Sequence, residues 1–228
     1  MGLSSSMARR AAPKVTSGYV REVLTRAIAG VGPARGAKES AENRLAEADG
    51  DVEQAVQELI SSHVRMAGAQ GFLTNVGGVV TLAVSIPANV TGLALLQCHL
   101  VASIAHLRGY DLDDPRVRNA VLCCLLGRDS VMTLVRRGDL PAPPMGLATS
   151  PVHDPKLDDT IATEVTTELL GRMTGRRAAT MVGRRVPLLG GGIGAAADGM
   201  ATRSVGRYAA EELRPRRGGS SRPPAPRE

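Results

Sequence analysis

Few side chains in this sequence can do chemistry near neutral pH. There are four histidines, His63, His99, His106 and His153, and three cysteines, Cys98, Cys123 and Cys124. His99 and His106 are seven residues apart, two helical turns or about 10 Å along one face, which is too far for an easy shared metal. His63 and His153 have no partner nearby in the sequence, so all four read as ordinary half-buried histidines. Cys123 and Cys124 are adjacent rather than spaced as C-x-x-C, and three cysteines cannot make a disulfide scaffold. Asp111, Asp113 and Asp114 suggest a calcium loop, but position 12 counted from Asp111 is Leu122 where a bidentate Glu is needed. Helix capping explains these acids better. Gly192-Ile193-Gly194-Ala195-Ala196-Ala197 fits G-x-G-x-x-A, yet only Val186 to Leu189 precedes it, broken by Pro187. A dinucleotide site needs a strand there and a βαβ unit around it, so close helix packing is the better reading. Neither a Ser/His/Asp set nor G-x-S-x-G is visible. The sequence therefore points to no catalytic residue, no metal and no cofactor, and reads as non-enzymatic.

What remains is a set of polar residues inside apolar runs: Asn75, Asn89, His99 and Asp198. Burying such groups without partners is costly. They could line a small pocket, which gives the alternative function of a soluble helical enzyme or ligand-binding protein. Asp198 could instead cap the final helix or pair with Arg203 or Arg207.

The elements that must position these residues are nearly all helical. Val20, Val23, Leu24, Ala27 and Ile28 recur at helical spacing over 16–30, and 31–37 read as a loop. Residues 38–48 contain helix formers with few apolar anchors, so a helix there would be mostly exposed. Asp51 is a good N-cap for a helix to about Ala69, whose apolar face is Val52, Val56, Leu59, Ile60 and Val64. From Met66 to Leu107 there is no Asp, Glu, Lys or Arg, a gap of 42 residues. Pro87 divides it into a helical hairpin of two pieces, about 72–86 and 88–107. The second could cross a bilayer and the first is too short. Leu93, Leu96, Leu100, Ile104 and Leu107 make one face of the second piece, while His99, Ser103 and His106 make another that lipid would not favour. Buried core, interfacial hairpin and membrane span all stay open.

Gly109 is a C-cap candidate, and Asp113 or Asp114 with Pro115 starts another helix. Its stripe is Val117, Val121, Cys124, Leu125, Met132 and Val135. Residues 138–156 read as a loop, followed by a helix over about 159–174 with Ile161, Val165, Leu169 and Met173 inward. A last helix ends near Leu213, and Gly191, Ala195 and Gly199 give it a smooth face for close packing. The expected fold is all-α: a compact multi-helix domain around a central apolar, Gly/Pro-interrupted hairpin. Its expected limits are 15–213, with a disordered leader over 1–14 and an Arg/Pro-rich disordered tail over 214–228.

The net charge of +6 divides unevenly, with +7 on the two ends and −1 on the body. Within the body, Arg172, Arg176, Arg177, Arg184 and Arg185 fall between Glu168 and Asp198 with no acid among them. They lead into the apolar Val186–Ala197 stretch. Basic side chains beside an apolar segment suit an anionic membrane surface, at about 1 kcal/mol per residue. The single Phe and absent Trp argue against single-strand nucleic-acid binding by stacking, and no specific nucleic acid is expected. The first 35 residues lack the apolar run of a secretory signal, so a cytoplasmic location is expected.

Several motifs in order resemble the EcsC protein family. They are Gly71-Phe72-Leu73-Thr74-Asn75-Val76-Gly77-Gly78, Pro87-Ala88-Asn89, Ile104 through Arg118, Cys124-Leu125-Leu126-Gly127, and Val186 through Asp198 with Ala201-Thr202-Arg203 and Gly206-Arg207. The likeness covers about 51–213. It implies a mostly helical protein with a Gly-punctuated apolar middle. It also implies, by gene context, a connection with the membrane or an ABC-transporter-type complex, and it supplies no catalytic set. The expectation is thus a non-enzymatic protein on the cytoplasmic face of the membrane. Its contacts would be Phe72, Leu73, Leu82, Ile86, Leu188 and Leu189, with Arg176, Arg177, Arg184 and Arg185 adding charge attraction.

Overall fold

A computed structural model describes residues 17–76, 88–183 and 187–216; side chains are not described for Ser17, 71–76, 88–90, Leu170, 172–183 and 187–194. Among the described residues the fold is all-α, and the sole β feature is an isolated bridge between Val31 and Ala34. The helices are α1 (Ser17–Ala29), α2 (Ala37–Glu47), α3 (Val52–Val76), α4 (Ala88–Leu107), α5 (Pro115–Leu126), α6 (Arg128–Arg137), α7 (Pro144–Ala148), α8 (Pro155–Gly183) and α9 (Pro187–Glu212).

α1 buries Val20, Val23, Leu24 and Ala27, the face its spacing predicts. The chain then turns sharply through 30–36. Gly30 has φ +92°, and a Cβ there would stand 2.5 Å from the Ala34 carbonyl oxygen. A Cβ on Gly36 would stand 2.5 Å from the Ile28 carbonyl oxygen. Backbone meets backbone at both places, so no side chain fits.

α2 is better anchored than its composition suggests, because Ala37 and Ala41 are fully buried. The polar face of α4 explains this. Ser103 Oγ donates to the Ala37 carbonyl at 3.1 Å, and His106 Nε2 lies 3.2 Å from Glu42 Oε1. Those polar residues serve a neighbouring helix.

Asp51 caps α3 as expected, its Oδ1 accepting from the Gln54 amide at 3.0 Å. The helix does not stop near Ala69 but continues to Val76. The expected first piece of the apolar hairpin therefore begins as the end of α3, and 77–87 lie outside the described residues. α4 buries Leu93, Leu100 and Ile104 together with Cys98 and Val101. The stretch long enough to span a bilayer is thus largely core, and among the described residues no helix is long and apolar enough to cross a membrane. Gly109, at φ +79°, ends α4 with its amide on the His106 carbonyl.

Asp114 caps α5 by accepting from the Arg116 amide at 2.8 Å, with Pro115 at the first helical position. α5 is the central helix, buried from Asn119 through Leu126. Gly127 then breaks the expected continuous stripe at φ +79°. α6 starts on a new axis, and Met132, expected inward, is 41% exposed. The loop expected over 138–156 contains the short α7. α8 is longer than expected at both ends. Its threonines are accommodated because Thr160, Thr166 and Thr167 each donate to the carbonyl one turn back, at 2.7–3.1 Å.

The glycine-rich run is not a separate turn before the last helix but part of α9. Among the described residues, α9 packs against α3 along the most extensive helix pair. A Cβ on Gly68 would meet the Ala195 carbonyl at 3.7 Å, one on Gly199 would meet Val64 at 3.6 Å, and one on Gly206 would meet Ile60 at 2.9 Å. Residue numbers fall on α3 as they rise on α9, so the two are antiparallel. α4 is antiparallel to α3 in the same way, with Gly92 against Gln70 and His99 against His63. The C-terminal end of α3 and the N-terminal ends of α4 and α9 therefore converge at one end of the bundle. Past α9, Tyr110 Oη donates to the Arg214 carbonyl at 2.9 Å and the Arg216 amide to the Arg108 carbonyl at 3.1 Å. These two bonds tie residues 214–216 to the Arg108–Tyr110 corner.

The 30–36 turn should be intolerant of any side chain. Gly30→Ala combines left-handed φ with a backbone clash and is expected to lose about 2–3 kcal/mol in urea unfolding. Gly50→Ala, at φ +86° but with nothing within 4 Å, should lose only about 1 kcal/mol. Equal losses would contradict this account of the turn.

Candidate functional site

Two histidines that the sequence leaves unpartnered meet in the fold. His63 on α3 is buried, and its Nε2 lies 2.9 Å from Nδ1 of His99 on α4. The outer nitrogens both face backbone carbonyls. His63 Nδ1 is 2.8 Å from the Leu59 oxygen, and His99 Nε2 is 3.2 Å from the Arg35 oxygen. The Leu59 carbonyl comes from the same helix one turn back, while Arg35 comes from the glycine-bounded turn. That turn is therefore a structural support of the pair.

Counting protons along this chain of four nitrogens is informative. Each carbonyl can only accept, so both outer nitrogens should carry hydrogen, and one more must sit between the rings. Three hydrogens are needed, and two neutral imidazoles hold two. In the neutral pair either one lone pair faces a carbonyl or the two inner lone pairs face each other; adding one proton satisfies every position. Burial opposes that proton. Desolvation, then the neighbouring His99 ring, pushes His63 down from 6.5 to about 4, against the pull of the Leu59 carbonyl. Desolvation also lowers His99. The pair is held neutral by its surroundings although its hydrogen bonds are arranged for a cation.

The pair lies on the wall of a cavity of about 580 Å³ between α1, the 30–36 turn, α2, α3 and α4, a size typical of small-molecule sites. Arg26, Arg35, Arg44, Ser40 and Ser62 contribute polar groups. Leu59, Met66, Leu95 and Leu96 contribute apolar surface.

Of the residues expected to share a pocket, His99 lines this cavity and Asp198 does not; the side chains of Asn75 and Asn89 lie outside the described residues. Asp198 is not a helix cap, because α9 begins eleven residues before it at Pro187. It is buried in the helix interior, one turn before Thr202, whose Oγ1 accepts from Gln97 Nε2 at 3.4 Å. The contact candidates Phe72, Leu73, Leu188, Leu189, Arg176 and Arg177 belong to α3, α9 and α8, but their side chains lie outside the described residues. Leu82, Ile86, Arg184 and Arg185 lie outside them altogether.

The other candidate chemistry resolves into structure. His153 Nε2 lies 2.8 Å from Asp158 Oδ1, so it too has a partner. Asp113 pairs with Lys38 at 2.8 Å and its amide donates to Asp111 Oδ1, which leaves the acidic run as turn, cap and ion pair. Cys98, Cys123 and Cys124 are all free and buried, and burial pushes the Cys98 and Cys123 thiols up to about 12. They are inert thiols at neutral pH. Among the described residues no cluster of three or more metal-ligating side chains occurs.

Compared with known proteins, residues 33–217 match a family model described as the EcsC protein family. The match begins in the turn before α2 and so includes Arg35, His63 and His99. No curated protein matches the chain, and no solved structure does.

The buried pair should leave a mark on stability. The folded state depresses the His63 pKa, so below pH 6.5 the unfolded chain binds a proton that the folded chain refuses. Stability is complete above that pH and declines as pH falls through 6.5 toward 4. Between pH 6.5 and about pH 5, where carboxylates are still ionised, urea unfolding should show a loss of about 2 kcal/mol. His63→Gln should flatten the slope. A wild-type stability that does not change over this range would contradict the buried neutral pair.

Proposed function

The chain belongs to the EcsC protein family, and we propose that it is a non-enzymatic protein that docks on the cytoplasmic face of the membrane by one end of its helical bundle. The observation that supports this reading is the antiparallel register of α3 with both α4 and α9. Three helix ends meet at Val76, Ala88 and Pro187. The chain from Val76 to Ala88 is free of charge, and Gly183 of α8 precedes Pro187 by three residues that include Arg184 and Arg185.

Consequently the apolar residues Phe72, Leu73, Leu82, Ile86, Leu188 and Leu189 all fall within or between these helix ends in the sequence. Arg176, Arg177, Arg184 and Arg185 lead into the same end. A charge-free connection flanked by arginines has the chemistry of a surface that inserts shallowly and holds anionic head groups. Because no described helix can cross a bilayer, the mode proposed is peripheral. A transporter complex at that membrane would be a partner reached from the same surface.

Vesicle co-sedimentation tests the reading. The full chain should bind vesicles containing phosphatidylglycerol at low salt, bind phosphatidylcholine vesicles at least tenfold more weakly, and be released as salt rises. Arg176→Glu with Arg177→Glu, Arg184→Glu and Arg185→Glu should weaken binding to anionic vesicles by tenfold or more. Absence of binding to the anionic vesicles at low salt would refute the proposal.

A further inference from the structure

The cavity beside the histidine pair has a lining of mixed chemistry. It follows α3 from Leu59 to Gln70, eleven residues or about 16 Å of helix. Its apolar lining is Leu59, Met66, Leu95 and Leu96. Its basic lining residues come from three separate segments, Arg26 of α1, Arg35 of the turn and Arg44 of α2, together with His63 and His99. None of the described lining residues is acidic.

The carboxylates that balance these arginines stand outside the lining. Arg26 pairs with Glu22 at 2.7 Å and Arg35 with Glu39 at 3.0 Å. Arg44 pairs with Glu47 at 2.5 Å and lies 3.7 Å from Glu58. The bridges are short-range pairs of half-exposed side chains, which contribute little and yield to a competing anion. A carboxylate inside the cavity would find basic residues of α1, the turn and α2 around it and no acid among the described lining residues.

The histidine pair adds a specific requirement. Its two outer nitrogens face carbonyls at 2.8 and 3.2 Å, so an added proton completes its hydrogen bonding. What opposes that proton is desolvation, the neighbouring ring and the positive charge of Arg44, with no counter-charge among the described lining residues. A monoanion beside the pair would supply it.

We propose that this cavity binds a single-chain anionic amphiphile, a fatty carboxylate, with its head group among Arg44, Arg35 and the His63–His99 pair and its chain along Leu59, Met66, Leu95 and Leu96, and that binding is accompanied by uptake of one proton onto the histidine pair. The elongated apolar wall selects an acyl chain over a bare anion. The single proton selects a monoanionic head over a dianionic one. The inference does not rest on membrane docking, since the cavity would take the free carboxylate from solution.

Titration calorimetry of the full chain with decanoate, below its micellar concentration and without vesicles, tests this. At pH 7.5 and again at pH 6.0, repetition in two buffers of different ionisation enthalpy reads the protons exchanged. The expected result is saturable binding with net proton uptake that rises as the pH is lowered, because the free pair is neutral across this range. Decanol, which has the chain without the charge, should bind at least tenfold more weakly, and inorganic phosphate should give no saturable heat. Arg44→Ala should weaken decanoate about tenfold, and His99→Gln should abolish most of the proton uptake. Should His99→Gln fail to fold, the wild-type proton count decides alone. Decanol binding as tightly as decanoate, phosphate binding as tightly as decanoate, or decanoate binding without proton uptake would each overturn the proposal. Vesicle binding without decanoate binding would overturn it while leaving the docking surface intact.

Discussion

The close approach of α3 and α9 is the constraint on which the rest of the molecule depends. Side chains normally hold packed helices 8–10 Å apart, but Gly68, Gly199 and Gly206 present no side chain at three successive levels of this pair. Backbone and small side chains then meet directly, as Gly68 meets the Ala195 carbonyl. The contact fixes where each residue of α9 stands along α3, and hence which helix ends lie together. It also leaves the opposite flank of α3 to α4, the flank that carries His63.

α4 resolves the competition between greasy composition and polar content by dividing its surface. Leu100, Val101 and Ile104 are buried in the common core. His99, Ser103 and His106 grip the 30–36 turn and α2 through Arg35, Ala37 and Glu42. Each is partnered, so the cost of removing it from water is offset. These partners are mostly backbone atoms, which makes the grip depend on the path of the chain and not on the identity of the α2 side chains. The basic wall of the cavity is assembled by the same docking, because Arg35 and Arg44 arrive with that segment.

Capping residues in the sequence were good guides to the particular helix ends they mark. Asp51, Asp114 with Pro115, and Gly109 each do what their residue type and position suggest, because capping is decided within a few residues. The first buried face, Val20 to Ala27, was legible for the same reason. The break at Gly127 was missed because α5 and α6 share a spacing that looks continuous until the chain changes direction. The place of Asp198 inside a helix was hidden because the glycine-rich run before it reads as a turn, whereas that run is part of α9. His63 and His99 are 36 residues apart, and nothing local links them. A signal did exist: a histidine among the polar residues of an apolar helix needs a partner from elsewhere, and His63, on the edge of an apolar face, was available.

The closing contacts of this fold join distant parts of the chain. Gln97 reaches Thr202 across 105 residues, and Tyr110 reaches Arg214 across 104. Helical proteins usually fold quickly because their contacts are local; high contact order removes that advantage. Here the apolar segment from Met66 to Leu107 is made long before α9, which covers much of α3. On the ribosome the apolar surface of α3 must wait uncovered until Pro187–Glu212 has emerged.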